Sequence, residues 1–100
     1  MHIHNVCFWL ENNLNNQALA AFERGLSALA HDPAVKTGYF GQPANTHRDV
    51  IENSYTYGLV LIFNDLAAHD QYQAGEVHQK FIADHGAKWK KIVVYDIETS

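Results

Sequence analysis

The stretch YTYGLVLIF, residues 55–63, constrains the fold of this chain more than any other. It is dense in β-branched, aromatic and long aliphatic residues and reads as a strand. Side chains alternate across a strand, so Tyr57, Leu59, Leu61 and Phe63 share one face, and Val60 and Ile62 share the other. A strand that is apolar on both faces has to be covered on both. The sheet containing it therefore needs helices on one side and a second cover on the other.

The remaining segments supply the helices. Residues 2–10, HIHNVCFWL, read as a strand with His4, Val6 and Phe8 on one face and Asn5, Cys7 and Trp9 on the other. Asn12 or Asn13 is placed to cap a helix. Leu14, Ala18, Phe22, Leu26 and Leu29 then recur at helical spacing up to Ala30. Gly25 inside that helix costs about 1 kcal/mol relative to alanine, which suggests close packing there. Asp32-Pro33 ends the helix.

Residues 34–40, AVKTGYF, predict a second strand, followed by a polar connection from Gly41 to Ser54. That connection is long enough to act as a lid or to cross a partner, and Arg48 and Asp49 offer an exposed ion pair in it. Asn64-Asp65 opens a helix to about Ala74, with the aspartate favourable near its N-terminus. Gly75 breaks it. A further helical piece, Val77 to His85, ends at Gly86, a natural cap. Residues 91–97, KIVVYDI, form the last strand.

The order is β-α-β-β-α-β, the ferredoxin-like α+β arrangement, with a four-stranded antiparallel sheet and helices on one face. The 100 residues suit one domain, 1–100. Helices on one face leave Trp9, Val60, Ile62, Val93 and Tyr95 bare on the other. A second copy related by a two-fold axis is the simplest cover. Two such sheets face to face close a dimeric α/β barrel, so a homodimer is expected.

Charge and composition narrow the function. Seven Lys and Arg against eleven Asp and Glu give a net charge of -4, which argues against a nucleic-acid partner. No apolar run approaches a membrane span, and residues 1–13 have no basic segment leading into an apolar one. The single Cys7 makes no internal disulfide, and a cytoplasmic setting is expected.

Several motifs, in this order and spacing, resemble the stress-responsive dimeric α/β barrel (Dabb) domain family. They are His4 in HNVCF, the helix ending at Pro33, the Gly41 region leading through a polar loop to SYTYGLVLIF, the Tyr72–His78–Phe81 spacing in QYQAGEVHQKF, and the closing KIVVYDI. The likeness spans essentially the whole chain. It departs at Gly75-Glu76, where family members usually carry a His-Pro pair. The resemblance implies a small stress-response domain with a pocket between sheet and helices in each subunit, for a small hydrophobic ligand or in a structural role. Phe22, Leu26, Leu59, Leu61, Phe81, Ile92 and Val94 would line it, with Trp89 closing one end. A plant branch resembles a polyketide cyclase that performs an intramolecular aldol condensation. Its tyrosine and histidines match Tyr72, His78 and His4.

Strand parity lets His4 approach His78, so the two are expected to pair. A near-neutral histidine can act as a general base, and Tyr72 can donate to a developing oxyanion. These parts suit a cofactor-free cyclase or lyase with His78 as base and His4 as its orienting partner. Histidines bonded to each other also simply hold helix to sheet. A small dimeric-barrel monooxygenase fits less well, because residues 55–63 contain no Trp and Asn5 and His4 point to opposite faces. The seven histidines include His2 and His4 on one strand face and His78 and His85 seven apart on a helix. No HExxH or cysteine ligand pattern appears. No metal and no cofactor are expected, and His31, His47 and His69 read as surface or loop residues.

Overall fold

The computed structural model describes all of residues 1–100. Its elements are β1 (His2–Leu10), α1 (Asn16–Ala30), β2 (Thr37–Gly41), β3 (Tyr57–Phe63), α2 (Leu66–Ala74), α3 (Glu76–His85) and β4 (Trp89–Glu98). A 3-10 turn at Gly86–Lys88 joins α3 to β4. The four strands form one antiparallel sheet in the order β2-β3-β1-β4. This is the ferredoxin-like fold.

β1 lies inside the sheet, paired with β3 on one edge and β4 on the other. His4 stands opposite Leu61 and Asp96, Val6 opposite Leu59 and Val94, and Phe8 opposite Tyr57 and Ile92. Paired residues share a face. Burial along β1 and β3 alternates strictly, with the helix-facing side chains buried. α1 sets Phe22, Leu26 and Leu29 against that face. Phe8, Phe22, Phe81 and Trp89 form the aromatic centre, with ring centroids 5.2–6.5 Å apart. Tyr57 closes one side by donating to Glu23 Oε2 at 2.6 Å. Burial and that carboxylate push its phenol up to about 12.

Local chemistry moved several boundaries. The cap of α1 is Asn15, not Asn12 or Asn13; its side chain accepts from the Ala18 amide at 2.8 Å. Leu14 consequently precedes the helix, though it packs on the core. Residues 34–36 are not strand. Asp32 accepts from the Ala34 amide at 2.8 Å and folds them into a turn. Asp65 caps α2 through the Ala68 amide. Gly86 is the C-cap of α3, as expected, but in the right-handed helical conformation; its amide donates to the Ile82 carbonyl and it opens the 3-10 turn. Arg48 and Asp49 form no ion pair among the salt bridges of the chain.

Two glycines permit close approaches. A Cβ on Gly25 would lie 2.7 Å from His85 Nε2, so the glycine lets α3 sit against α1. A Cβ on Gly38 would lie 2.8 Å from both Cα and Cβ of Ala30 and 2.9 Å from its carbonyl oxygen. Here the obstacle is backbone and cannot swing aside.

The helices pack on Trp89 at the start of β4 but leave its middle open. Ile92 and Val94 face the helix side yet remain 42% and 44% exposed. On the opposite side, Trp9, Val93, Tyr95 and Ile97 line a broad open concavity, which the end of the 41–54 connection borders through Glu52. Trp9 Nε1 donates to Ser54 Oγ at 3.0 Å, pinning that connection to the sheet. Gly38→Ala is expected to lower stability by about 1–3 kcal/mol through overpacking, as read from the urea midpoint at constant m-value. An unchanged midpoint would mean that α1 and β2 are not held this close.

Candidate functional site

The helix-facing row of β1 changes character along its length. Val6, Phe8 and Leu10 are apolar, whereas His2 and His4 carry imidazoles into the same layer, 5% and 4% exposed. Buried imidazoles require partners, and β4 supplies one. Asp96 Oδ1 lies 2.6 Å from His4 Nδ1 and 3.1 Å from His2 Nε2. Burial alone would raise the Asp96 pKa, but the hydrogen bonds and charges of His4 and His2 outweigh it and hold the carboxyl below its usual range. Asp96 is therefore a carboxylate that accepts from both rings. In neutral His4 the Nδ1 proton is then donated to Asp96, and Nε2 keeps its lone pair.

α2 adds His69 and Tyr72, its only buried residues. The His69 ring lies 4.3 Å from that of His2 and 5.0 Å from that of His4. His69 Nδ1 is 3.1 Å from Asp70 Oδ1. His69 Nε2 and His2 Nδ1 are buried with no partner at all.

Gly75 breaks the second helical region in an extended conformation and serves both ends. Its amide donates to the Tyr72 carbonyl, and its carbonyl accepts from the Gln79 amide. The restart places His78 against Tyr72, with ring centroids 5.1 Å apart. His4, Tyr72 and His78 thus stand in the wall of one cavity of about 100 Å³. Burial, followed by the nearby His4, pushes the His78 pKa below its ordinary 6.5. Burial likewise lowers His4 despite its bond to Asp96. Burial drives the Tyr72 phenol well above its ordinary value, so it remains a proton donor.

The expected direct bond between His4 and His78 is absent; His4 Nδ1 pairs with Asp96 instead. Leu59, Phe81, Trp89, Ile92 and Val94 border the cavity. Phe22, Leu26 and Leu61 do not; all three are fully buried in the core beneath it. His69 is not a surface residue but 7% exposed at the heart of the site. His85 faces α1 across Gly25 and lines a different depression from His78. Asp96 lies in no motif; its signal in the sequence is its parity with Val94 on the last strand.

The stress-responsive A/B barrel domain profile matches residues 3–99. The chain belongs to the Dabb family. Three solved structures similar to this Dabb chain cover almost all of it. The Arabidopsis thaliana protein At3g17210 is 16% identical with a TM-score of 0.82, the match covering 100% of this chain and 96% of that one. A dimeric ferredoxin-like protein from Thermobifida fusca is 17% identical with a TM-score of 0.79, covering 98% and 90%. A hydroxynitrile lyase from Passiflora edulis is 16% identical with a TM-score of 0.79, covering 96% and 90%. At these identities the likeness is one of fold. No curated protein matches the chain, and no helix is long and apolar enough to cross a membrane.

The lowered histidines of this Dabb domain link its stability to pH. In the unfolded chain they titrate near 6.5, whereas folded His4, His78 and His85 take up protons only at lower pH. Below about 6.5 the unfolded state binds more protons, so stability falls as pH falls. Calorimetric melting in chelator from about pH 7.5 to about pH 5.5 should show a falling Tm. His78→Gln should flatten the slope. A wild-type profile that is level across this window would contradict the burial of these imidazoles.

Proposed function

We propose that this Dabb protein is a homodimeric α/β barrel in which each subunit binds a small, largely apolar molecule bearing one carbonyl or hydroxyl group. The carrying observation is the cavity itself. Ten of its thirteen lining residues are hydrophobic, and its polar groups gather where His4, Tyr72 and His78 stand. Its volume, about 100 Å³, limits the occupant. Sites for drug-sized ligands measure about 300–1,000 Å³, and an apolar cavity of about 150 Å³ holds benzene. A single ring or short chain fits; an extended polyketide does not without opening. The exposed side chains of Ile92 and Val94 mark the open side.

A second reading, a cofactor-free lyase, is favoured by the state of the polar groups. His78 is held neutral and can accept a proton at neutral pH. Tyr72 is held protonated and can donate to an oxyanion. His4, fixed by Asp96, presents a lone pair at Nε2. The fold likeness to the Passiflora edulis hydroxynitrile lyase supports testing cleavage of a carbon–carbon bond beside a hydroxyl-bearing carbon. In that step His78 takes the hydroxyl proton, the C–C bond breaks to leave a carbonyl, and the departing carbanion takes that proton back from His78.

Single-ring aldehydes, ketones and phenols should be screened by thermal shift on wild type and His78→Ala. At least one should raise the Tm of wild type and not of the variant. Cyanide released from benzaldehyde cyanohydrin by wild type and lost in His78→Ala would favour the lyase. A panel in which nothing stabilises the wild type rejects the ligand-binding reading.

The dimer rests on the bare sheet face carrying Trp9, Val60, Ile62, Val93 and Tyr95 and on the dimeric state given for the Thermobifida fusca protein. A contiguous apolar face of this kind marks an interface. Sedimentation at micromolar concentration should give a dimer, and Val60→Glu, placing a charge in that face, should give a folded monomer or a species that aggregates. A wild-type monomer would refute the assembly.

A further inference from the structure

We propose that His2, His4, His69 and Asp96 bind one divalent transition-metal ion of the zinc class. One ligand atom from each of the four lies within 4.8 Å of the other three. Four N and O ligands about 2.0–2.1 Å from a tetrahedral zinc stand about 3.3–3.4 Å apart. Two pairs, 2.6 Å from His4 Nδ1 and 3.1 Å from His2 Nε2 to Asp96 Oδ1, are closer than this and would open slightly around an ion. No other pair has to close by more than about 1.5 Å, which ring rotation supplies.

The second observation is the buried, partnerless nitrogen of His69. With Asp70 accepting at Nδ1, the Nε2 of neutral His69 bears a lone pair, and no donor meets it. An unsatisfied polar atom in a residue 7% exposed calls for an explanation. A carboxylate on one nitrogen and a metal on the other is the usual arrangement for a ligating histidine. The donor set selects the ion. Three imidazoles and one carboxylate suit zinc and its neighbours, whereas magnesium and calcium prefer oxygen. Asp96, its side chain 42% exposed, is the solvent-side ligand and marks the route in.

The ligands come from β1, α2 and β4, so an ion would tie together three elements. α2 gains most, because His69 and Tyr72 are its only buried anchors. Binding at His4 Nδ1 also shifts the ring proton to Nε2, the nitrogen nearest a role in the cavity. The ion would then bias His4 from acceptor to donor without entering the cavity.

The test uses the full chain without a histidine tag, stripped with chelator, near neutral pH. Equilibrium dialysis with zinc should give one ion per chain, and zinc should raise the Tm. Cobalt should give the intense visible bands of four-coordinate geometry. His69→Ala and Asp96→Asn should each weaken binding at least tenfold and abolish the cobalt bands. Joint replacement of the exposed His31 and His47 by alanine should change neither. If His69→Ala fails to fold, Asp96→Asn, altered at the solvent side, carries the comparison. Substoichiometric binding by wild type, or binding that survives in Asp96→Asn and vanishes without His31 and His47, overturns the proposal.

Discussion

The register of β1 between β3 and β4 is the constraint on which the rest of the molecule depends. A shift by one residue would turn every side chain of β1 to the opposite face. His2, His4, Val6, Phe8 and Leu10 would then leave the helix layer, and Asn5, Cys7 and Trp9 would enter it. Nothing in the aromatic centre could survive that exchange, because Phe8 touches Phe22, Phe81 and Trp89 at once. Val6, paired with Leu59 and Val94, lines the cavity with both, and His4, held by Asp96, stands at its polar end. Core and candidate site are successive parts of one row.

The transition from core to site within that row has an energetic logic. Imidazoles buried without partners destabilise a fold by about 1–3 kcal/mol each. Asp96 offsets this for His4 and His2 while staying partly hydrated itself. Burial lowers the His4 pKa, so at neutral pH Asp96 orients a neutral His4 ring rather than pairing with a cation there. Such a cluster is available for proton transfer, for hydrogen bonding to a carbonyl, or for an ion, and the tautomer of His4 distinguishes these states.

Periodicity makes much of the architecture legible in the sequence. The alternation in residues 57–63 and the helical stripe Phe22, Leu26, Leu29 correspond to buried faces of β3 and α1. Ends of elements were less legible, because they depend on which of several asparagines reaches an amide. Asn12, Asn13 and Asn15 are chemically equivalent caps, and the path of the chain from Leu10 selects Asn15. Residues 34–36 have the composition of a strand, yet Asp32 bends them into a turn. Of the site, His4, Tyr72 and His78 carried a recognisable spacing. His69 and Asp96 did not, since each sits in a segment whose neighbours are polar or mixed.

Taken alone, the amino-acid sequence determined that this chain would form a sheet apolar on both sides, with helices able to cover only one. That follows from side-chain alternation, a property of each strand by itself. It also determined that a helix break at Gly75 would separate Tyr72 from His78. Only the tertiary structure decided that His4 turns to Asp96 rather than to His78, and that His69 completes a nest of three imidazoles. Those contacts join residues more than sixty positions apart in the chain for His4 and His69, and 92 apart for His4 and Asp96. Their existence depends on strand register and on where α2 lands on the sheet, and no local pattern encodes either.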